Sequence, residues 1–223
     1  MLLLPDCIFF DLDGTLLDSL PGIEYSVREA FAACHLPVPE GSLRALIGPP
    51  IRTILAHVGN IDDHVTLDRL EHAFRASYDG GGWSKTVCFP DAGRALESMR
   101  YEGRRLFVVS NKPRHISVKI LSAEGILDLF ETVLTRDSRS PVYSGKEEMI
   151  TELLTKRSIS SKDCLFVGDT AEDAEAAAAC GVKFALMTHG SGSMADIDSA
   201  PVACRPDHFS QLLPLMGKEI LRD

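Results

Sequence analysis

Five short apolar runs constrain this chain more than any other feature: Cys7–Phe10, Leu106–Val109, Thr132–Leu134, Leu165–Val167 and Phe184–Met187. None alternates apolar with polar residues, as a strand with one wet face would. Unbroken runs of this kind belong to strands buried on both faces, in a parallel sheet covered by helices. Helical patterns lie between them. Ala92–Tyr101 sets Ala95, Leu96 and Met99 on one side, and Ile116, Ile120 and Leu121 do the same ahead of Gly125, which is expected to end that helix. Met149, Ile150, Leu153 and Leu154 follow, and the alanine-rich Ala174–Cys180 ends at Gly181. Strands alternating with helices predict an α/β fold with a doubly wound parallel sheet.

One region breaks the alternation. From Gly22 to Tyr78 the spacing predicts helices and no strand: Ile23, Val27, Ala30, Phe31 and Cys34 share a face, then Pro50–Val58 and His64–Tyr78 follow. The chain therefore divides into a core, residues 1–18 and 83–223, and an all-helical insert, residues 19–82. The stretch Asp79-Gly80-Gly81-Gly82 reads as a hinge or a plain loop.

Lys and Arg number 23 against 32 Asp and Glu, a formal net charge of −9. Nucleic acid is not an expected partner, because binding its backbone needs clustered cations. Apolar residues at 45% and charged residues at 25% argue for a folded globular chain rather than a disordered one. The six cysteines show neither C-x-x-C nor zinc-ligand spacing. All six are expected to be reduced and buried, which fits the cytoplasm. The start MLLLPDCIFF lacks a basic flank and is broken by Pro5 and Asp6, so it does not read as a signal peptide. No stretch is long enough to span a membrane. Oligomeric state is left open.

Ligands of open parallel sheets bind beyond the carboxyl ends of the strands. The first apolar run is followed by Asp11-Leu12-Asp13-Gly14-Thr15, the second by Ser110-Asn111-Lys112, and the fourth by Gly168-Asp169 with Asp173 beyond; Lys146 opens the helix before that strand. Carboxylates gathered at one sheet edge need a compensating cation. Hard oxygen ligands in an open site suit Mg²⁺, which keeps waters and takes phosphate oxygens. A carboxylate can attack phosphorus to give an acyl phosphate that water cleaves, while a second carboxylate protonates the leaving oxygen and later activates the water.

FFDLDGTLLDS, VVSNK, Lys146 and FVGDTAED resemble the four ordered motifs of the haloacid dehalogenase superfamily, over Phe9 to Asp173. The resemblance implies a Rossmann-like core with a helical cap inserted after the first motif. It implies that Asp11 is the nucleophile and a Mg²⁺ ligand. Asp13 would be the general acid/base and give a backbone carbonyl to the metal, and Asp169 would complete the metal shell. Ser110, the Asn111 amide and Thr15 would hold the phosphoryl group, and Lys146 would steady it. Asp173 would support the metal shell or hold Lys146. Dehalogenases of the superfamily lack an acid at the position of Asp13, so its presence favours phosphate chemistry. The pattern, including Ile47-Gly48-Pro49-Pro50, is similar to phosphoglycolate phosphatases, although Glu147-Glu148 stand where those relatives usually carry prolines after the lysine.

The expected activity is a Mg²⁺-dependent phosphatase hydrolysing a small phosphorylated metabolite of the phosphoglycolate type. A sugar phosphomutase would share the same residues, and a non-catalytic binding protein on this fold is a third reading. A phosphonate hydrolase would need a cap lysine, and Gly22–Tyr78 contains none. Several residues keep two readings. Lys112 reads as a surface lysine rather than a substrate contact. Arg52 either meets a distal anion or is an exposed helix arginine. His189 and Trp83 read as packing, and Gly190-Ser-Gly192-Ser as a turn.

Overall fold

The computed structural model describes residues 5–47, 49–190 and 202–212. Gly48 and Ser191–Ser193, named above, lie outside them, as does the start of the chain through Leu4.

The five runs become five parallel strands: β1 (Cys7–Phe10), β4 (Arg105–Ser110), β5 (Thr132–Thr135), β6 (Cys164–Gly168) and β7 (Lys183–Leu186). Their order is β5-β4-β1-β6-β7, with β1 central, Cys7 opposite both Arg105 and Cys164. Successive side chains of β1 point to opposite faces, as strand geometry requires. Ile8 and Phe10 join the core under α4 (Ala92–Tyr101) and α5 (Arg114–Ala123). Cys7 and Phe9 join the core under α6 (Lys146–Lys156) and α7 (Ala171–Ala179). This two-sided burial is why the runs carry no polar alternation. α5 stops ahead of Gly125 and α7 ahead of Gly181, as expected.

Among the described residues between β2 (Leu17–Asp18) and β3 (Val87–Cys88) lie three α-helices and no strand: α1 (Leu20–Ala33), α2 (Ile51–Gly59) and α3 (His64–Gly80). Asp63 starts α3 by accepting from the Val65 and Thr66 amides, which satisfies two of the donors left over at a helix start. Buried Val27, Phe31, Leu55, Leu70 and Phe74 hold the three together. β2 and β3 pair antiparallel, Leu17 with Cys88 and Asp18 with Val87, so the chain leaves and re-enters the core side by side. This ribbon was not expected, since two residues are too few to show a period.

Two expectations need correcting. Asp79 and Gly80 are not loop: α3 runs on through Gly80, and a short 3₁₀ turn, Gly82–Lys85, follows. The cysteines are all free, but only Cys7 and Cys164 are buried; Cys34, Cys88, Cys180 and Cys204 are half-buried. Burial pushes the Cys88 and Cys164 thiols up to about 12, so neither supplies a thiolate nucleophile near neutral pH. Among the described residues no helix is long and apolar enough to cross a membrane.

Candidate active site

The carboxyl ends of β1, β4 and β6 lie side by side, so the residues that follow them converge. The Asp11 amide donates to the Val167 carbonyl at 3.0 Å, which carries the β1–β6 pairing one residue past the strand. Asp11 is 4% exposed. Its Oδ2 lies 3.1 Å from the Lys146 ammonium, and its buried Oδ1 has no hydrogen-bond partner. Lys146 is the first residue of α6, and its Nζ also donates to Asp173 Oδ1 at 2.6 Å.

Asp173 is held from every side. Its Oδ2 accepts from the Thr170 hydroxyl at 2.6 Å and from the Thr170 and Asp169 amides at 3.1 and 3.3 Å, closing a capping box at the start of α7. Of the two expectations for Asp173, holding Lys146 is the one these bonds describe. Asp169 accepts from the Thr15 hydroxyl at 3.0 Å. Thr15 thus steadies a carboxylate. Gly14, at φ +83°, and Gly190 both press against Asp169, and a Cβ on either would overlap its carboxylate. Gly190 is therefore more than a turn residue.

Oxygens of Asp11, Asp169 and Asp173 lie within 4.8 Å of one another. Burial chiefly pushes the Asp11 carboxyl up, to about 8; Lys146 opposes this, and Asp173, Asp169 and Asp13 add to it. Burial alone would lower the Lys146 ammonium, but Asp11 and Asp173 outweigh it and hold it above its ordinary value. The Lys146 ammonium is shared between two of these carboxylates, those of Asp11 and Asp173. The unpartnered Asp11 Oδ1 is an oxygen that a hard divalent cation would satisfy.

Ser110 ends β4, buried, and its Oγ accepts from the Lys112 amide at 3.3 Å. Asn111 donates to Glu172 at 2.9 Å, and its side-chain oxygen is buried without a partner. Asp13 stands apart from the carboxylate cluster: its side chain turns to Lys112, 2.9 Å away. A cavity of about 290 Å³ opens beside it, lined from the core by Asn111, Lys112 and Arg136 and from the insert by Phe74, Arg75 and Tyr78.

Similarities to known proteins now bear on this arrangement. Residues 8–187 match the family model of haloacid dehalogenase-like hydrolases. The chain belongs to that family. It is 33% identical over 188 residues to a phosphoglycolate phosphatase of Cereibacter sphaeroides, covering 82% of this chain and 85% of the relative. It is 32% identical over 195 residues to the tyrosine-protein kinase PtkA of Mycobacterium tuberculosis, covering 87% of this chain but spanning only 66% of the kinase. The PtkA structure superposes with a TM-score of 0.82 at 30% identity, covering 96% of this chain and 99% of that one. A haloacid dehalogenase-like hydrolase of Streptococcus pneumoniae, at 23% identity, shares the fold with a TM-score of 0.85 over 94% of this chain and 97% of that one.

Within this hydrolase frame, the surface reading of Lys112 is wrong: the residue is 7% exposed and bonded to Asp13 and Tyr78. Its burial depends on a helix far away in sequence, which no local pattern reveals. Arg52 does not line the cavity; it pairs with Asp68 at 2.6 Å and Glu71 at 3.3 Å. Arg52→Ala should leave kcat/KM within about twofold of wild type, since exposed pairs of this kind contribute little; a steady-state assay checks it. His189 is tied to the Thr15 and Asp207 carbonyls and packs on Phe89. Trp83 packs, with the Lys119 ammonium 4.5 Å from its ring centre. Arg75 and Arg136 are cavity residues that the sequence reading missed. Arg136 directly follows β5, so the strand-end rule applied to the third run would have found it. Arg75 lies three residues before Tyr78 on α3, so the two are neighbours on that helix.

Proposed function

We propose that this hydrolase is a Mg²⁺-dependent phosphatase acting on a small phosphorylated metabolite of the phosphoglycolate type, with residues 19–82 as its cap. The observation that carries the reading is Asp11: a buried carboxylate set against Lys146, with one oxygen left unpartnered. Likeness to the phosphoglycolate phosphatase supports the substrate class. Asp11, Asp169 and the Asp13 carbonyl would hold the cation, which when bound neutralises carboxylates and phosphate together.

The roles of the chain's own groups follow. An Asp11 oxygen attacks phosphorus, and the bond to the leaving oxygen breaks. Asp13, facing the cavity, gives that oxygen its proton. Water, with its proton taken by Asp13, then cleaves the acyl phosphate and restores Asp11. Ser110 and the Asn111 amide hold the phosphoryl oxygens, and Lys146, itself fixed by Asp173, faces their charge. Closure of the helical insert over the cavity would exclude bulk water. The free thiols support a cytoplasmic setting.

A phosphate-release screen over small phosphoesters, with Mg²⁺ and with EDTA, tests this reading. Release that depends on Mg²⁺ and is abolished by chelation is expected; undiminished release in EDTA overturns the metal assignment. Likeness to PtkA favours a second reading, transfer from Asp11 to a hydroxyl acceptor instead of water. Phosphate moving to an added hydroxyl acceptor, with none set free, would decide for it.

A further inference from the structure

A second buried polar assembly lies beside the carboxylate cluster, and the reaction as described gives it no task. The Lys112 ammonium donates to both Asp13 oxygens, at 2.9 and 3.2 Å, and to the Tyr78 hydroxyl at 2.9 Å. Three donors are all an ammonium has, so Lys112 is saturated. The Tyr78 hydroxyl shares a further bond with the Thr86 hydroxyl at 3.2 Å, and its ring stacks on Phe74 with centres 5.4 Å apart. The Lys112 backbone is pinned as well, its amide to Ser110 Oγ and its carbonyl to Ser117 Oγ.

Tyr78 lies in the last turn of α3, Thr86 on the returning strand of chain, Lys112 after β4 and Asp13 after β1. The assembly therefore joins the helical insert to one carboxylate of the core. A lysine that served only as surface charge would not be buried between a carboxylate and a phenol, because desolvating an ammonium is repaid only by fixed partners. Asp13 needs such a fixture. It lies outside the carboxylate cluster and lines the cavity, so nothing in that cluster sets its aim. A general acid/base works only within hydrogen-bond reach of the oxygen it serves.

We propose that Lys112 is the positioning residue of Asp13, and that Tyr78 fixes Lys112 from the insert. The inference rests on the phosphatase reading, in which Asp13 handles the leaving-group proton. It makes the aim of that carboxylate depend on where the end of α3 sits.

Leaving groups separate this role from a merely structural one. The 4-nitrophenolate ion departs without needing a proton, whereas an alkoxide does not. Tyr78→Phe keeps the ring on Phe74 and removes only the hydroxyl. Thr86→Val removes that hydroxyl's other partner, from outside the cavity. kcat/KM, which reports the transfer to Asp11 alone, is measured for 4-nitrophenyl phosphate and for the best alkyl phosphate of the screen above, beside kcat, which also contains the hydrolysis step common to both esters. General acid–base assistance is worth roughly 10²–10⁴-fold, so a loosened Asp13 should lower kcat/KM on the alkyl ester about tenfold. On the aryl ester kcat/KM should change less than about twofold. Thr86→Val should show the same asymmetry at smaller size, and it decides the matter by the same criterion if Tyr78→Phe does not fold. Equal losses of kcat/KM on both esters, or none on the alkyl ester, overturn the assignment. Wild-type protein inert on both esters overturns the phosphatase reading, and this assignment with it.

Discussion

Replacing Asp11 by Asn is expected to abolish turnover, by roughly 10⁴-fold or more, as loss of a covalent nucleophile does elsewhere, while making the cation-free protein more stable. The two effects have one cause. Burial and three neighbouring carboxylates hold the Asp11 carboxyl at about 8, against an ordinary value of 3.8. Between those values the folded chain keeps a proton that the unfolded chain has released, so stability falls as pH rises through this window. Asn removes that penalty. In EDTA at pH 7 the variant should gain on the order of 2–4 kcal/mol, read as a melting temperature higher by roughly 5–10 °C. At pH 4 the gain should vanish. A variant melting no higher than wild type at pH 7 would contradict the account of Asp11 as a strained, metal-seeking carboxylate.

Asp173→Ala should be the most damaging change to stability around the site. It strands the Lys146 ammonium, which then faces Asp11 alone, and it removes the acceptor of the Thr170 hydroxyl and of two backbone amides. Breaking a buried ion pair from one side costs about 3–5 kcal/mol, equivalent to a melting point lower by roughly 10 °C in a chain of this size. Thr170→Ala is the control: it leaves Lys146 paired and should cost only the cap, about 1 kcal/mol. Similar losses in the two variants would show that Asp173 matters as a helix cap and not through Lys146. Catalysis should separate them further, with Asp173→Ala far slower because Lys146 has lost its fixed direction.

These residues differ in how much the sequence shows of them. Asp11, Ser110 and Asp169 were legible because each ends an apolar run, and parallel strands side by side bring their ends together. Lys146 was legible as the polar start of a helix, and Asp173 as a residue one turn into the next. The five strands were visible because sheet faces covered by helices tolerate no polar alternation. Lys112 and Tyr78 were not legible: a lysine after Ser-Asn has no local sign of burial, and its phenol partner belongs to a helix more than thirty residues earlier in the chain. The β2–β3 ribbon was too short for a pattern. Arg52 kept two readings because its acidic partners, Asp68 and Glu71, lie on a neighbouring helix that sequence spacing does not relate to it.

The central place of β1 has a bearing on biosynthesis. Its ladder partners are Arg105–Ser110 on one side and Cys164–Gly168 on the other. A nascent chain emerging at about 5–20 residues per second would carry the uncovered CIFF segment for roughly ten to thirty seconds before both flanks exist. Over that interval the segment is open to intermolecular pairing, so translation speed and chaperone supply, more than the endpoint fold, should govern the soluble yield.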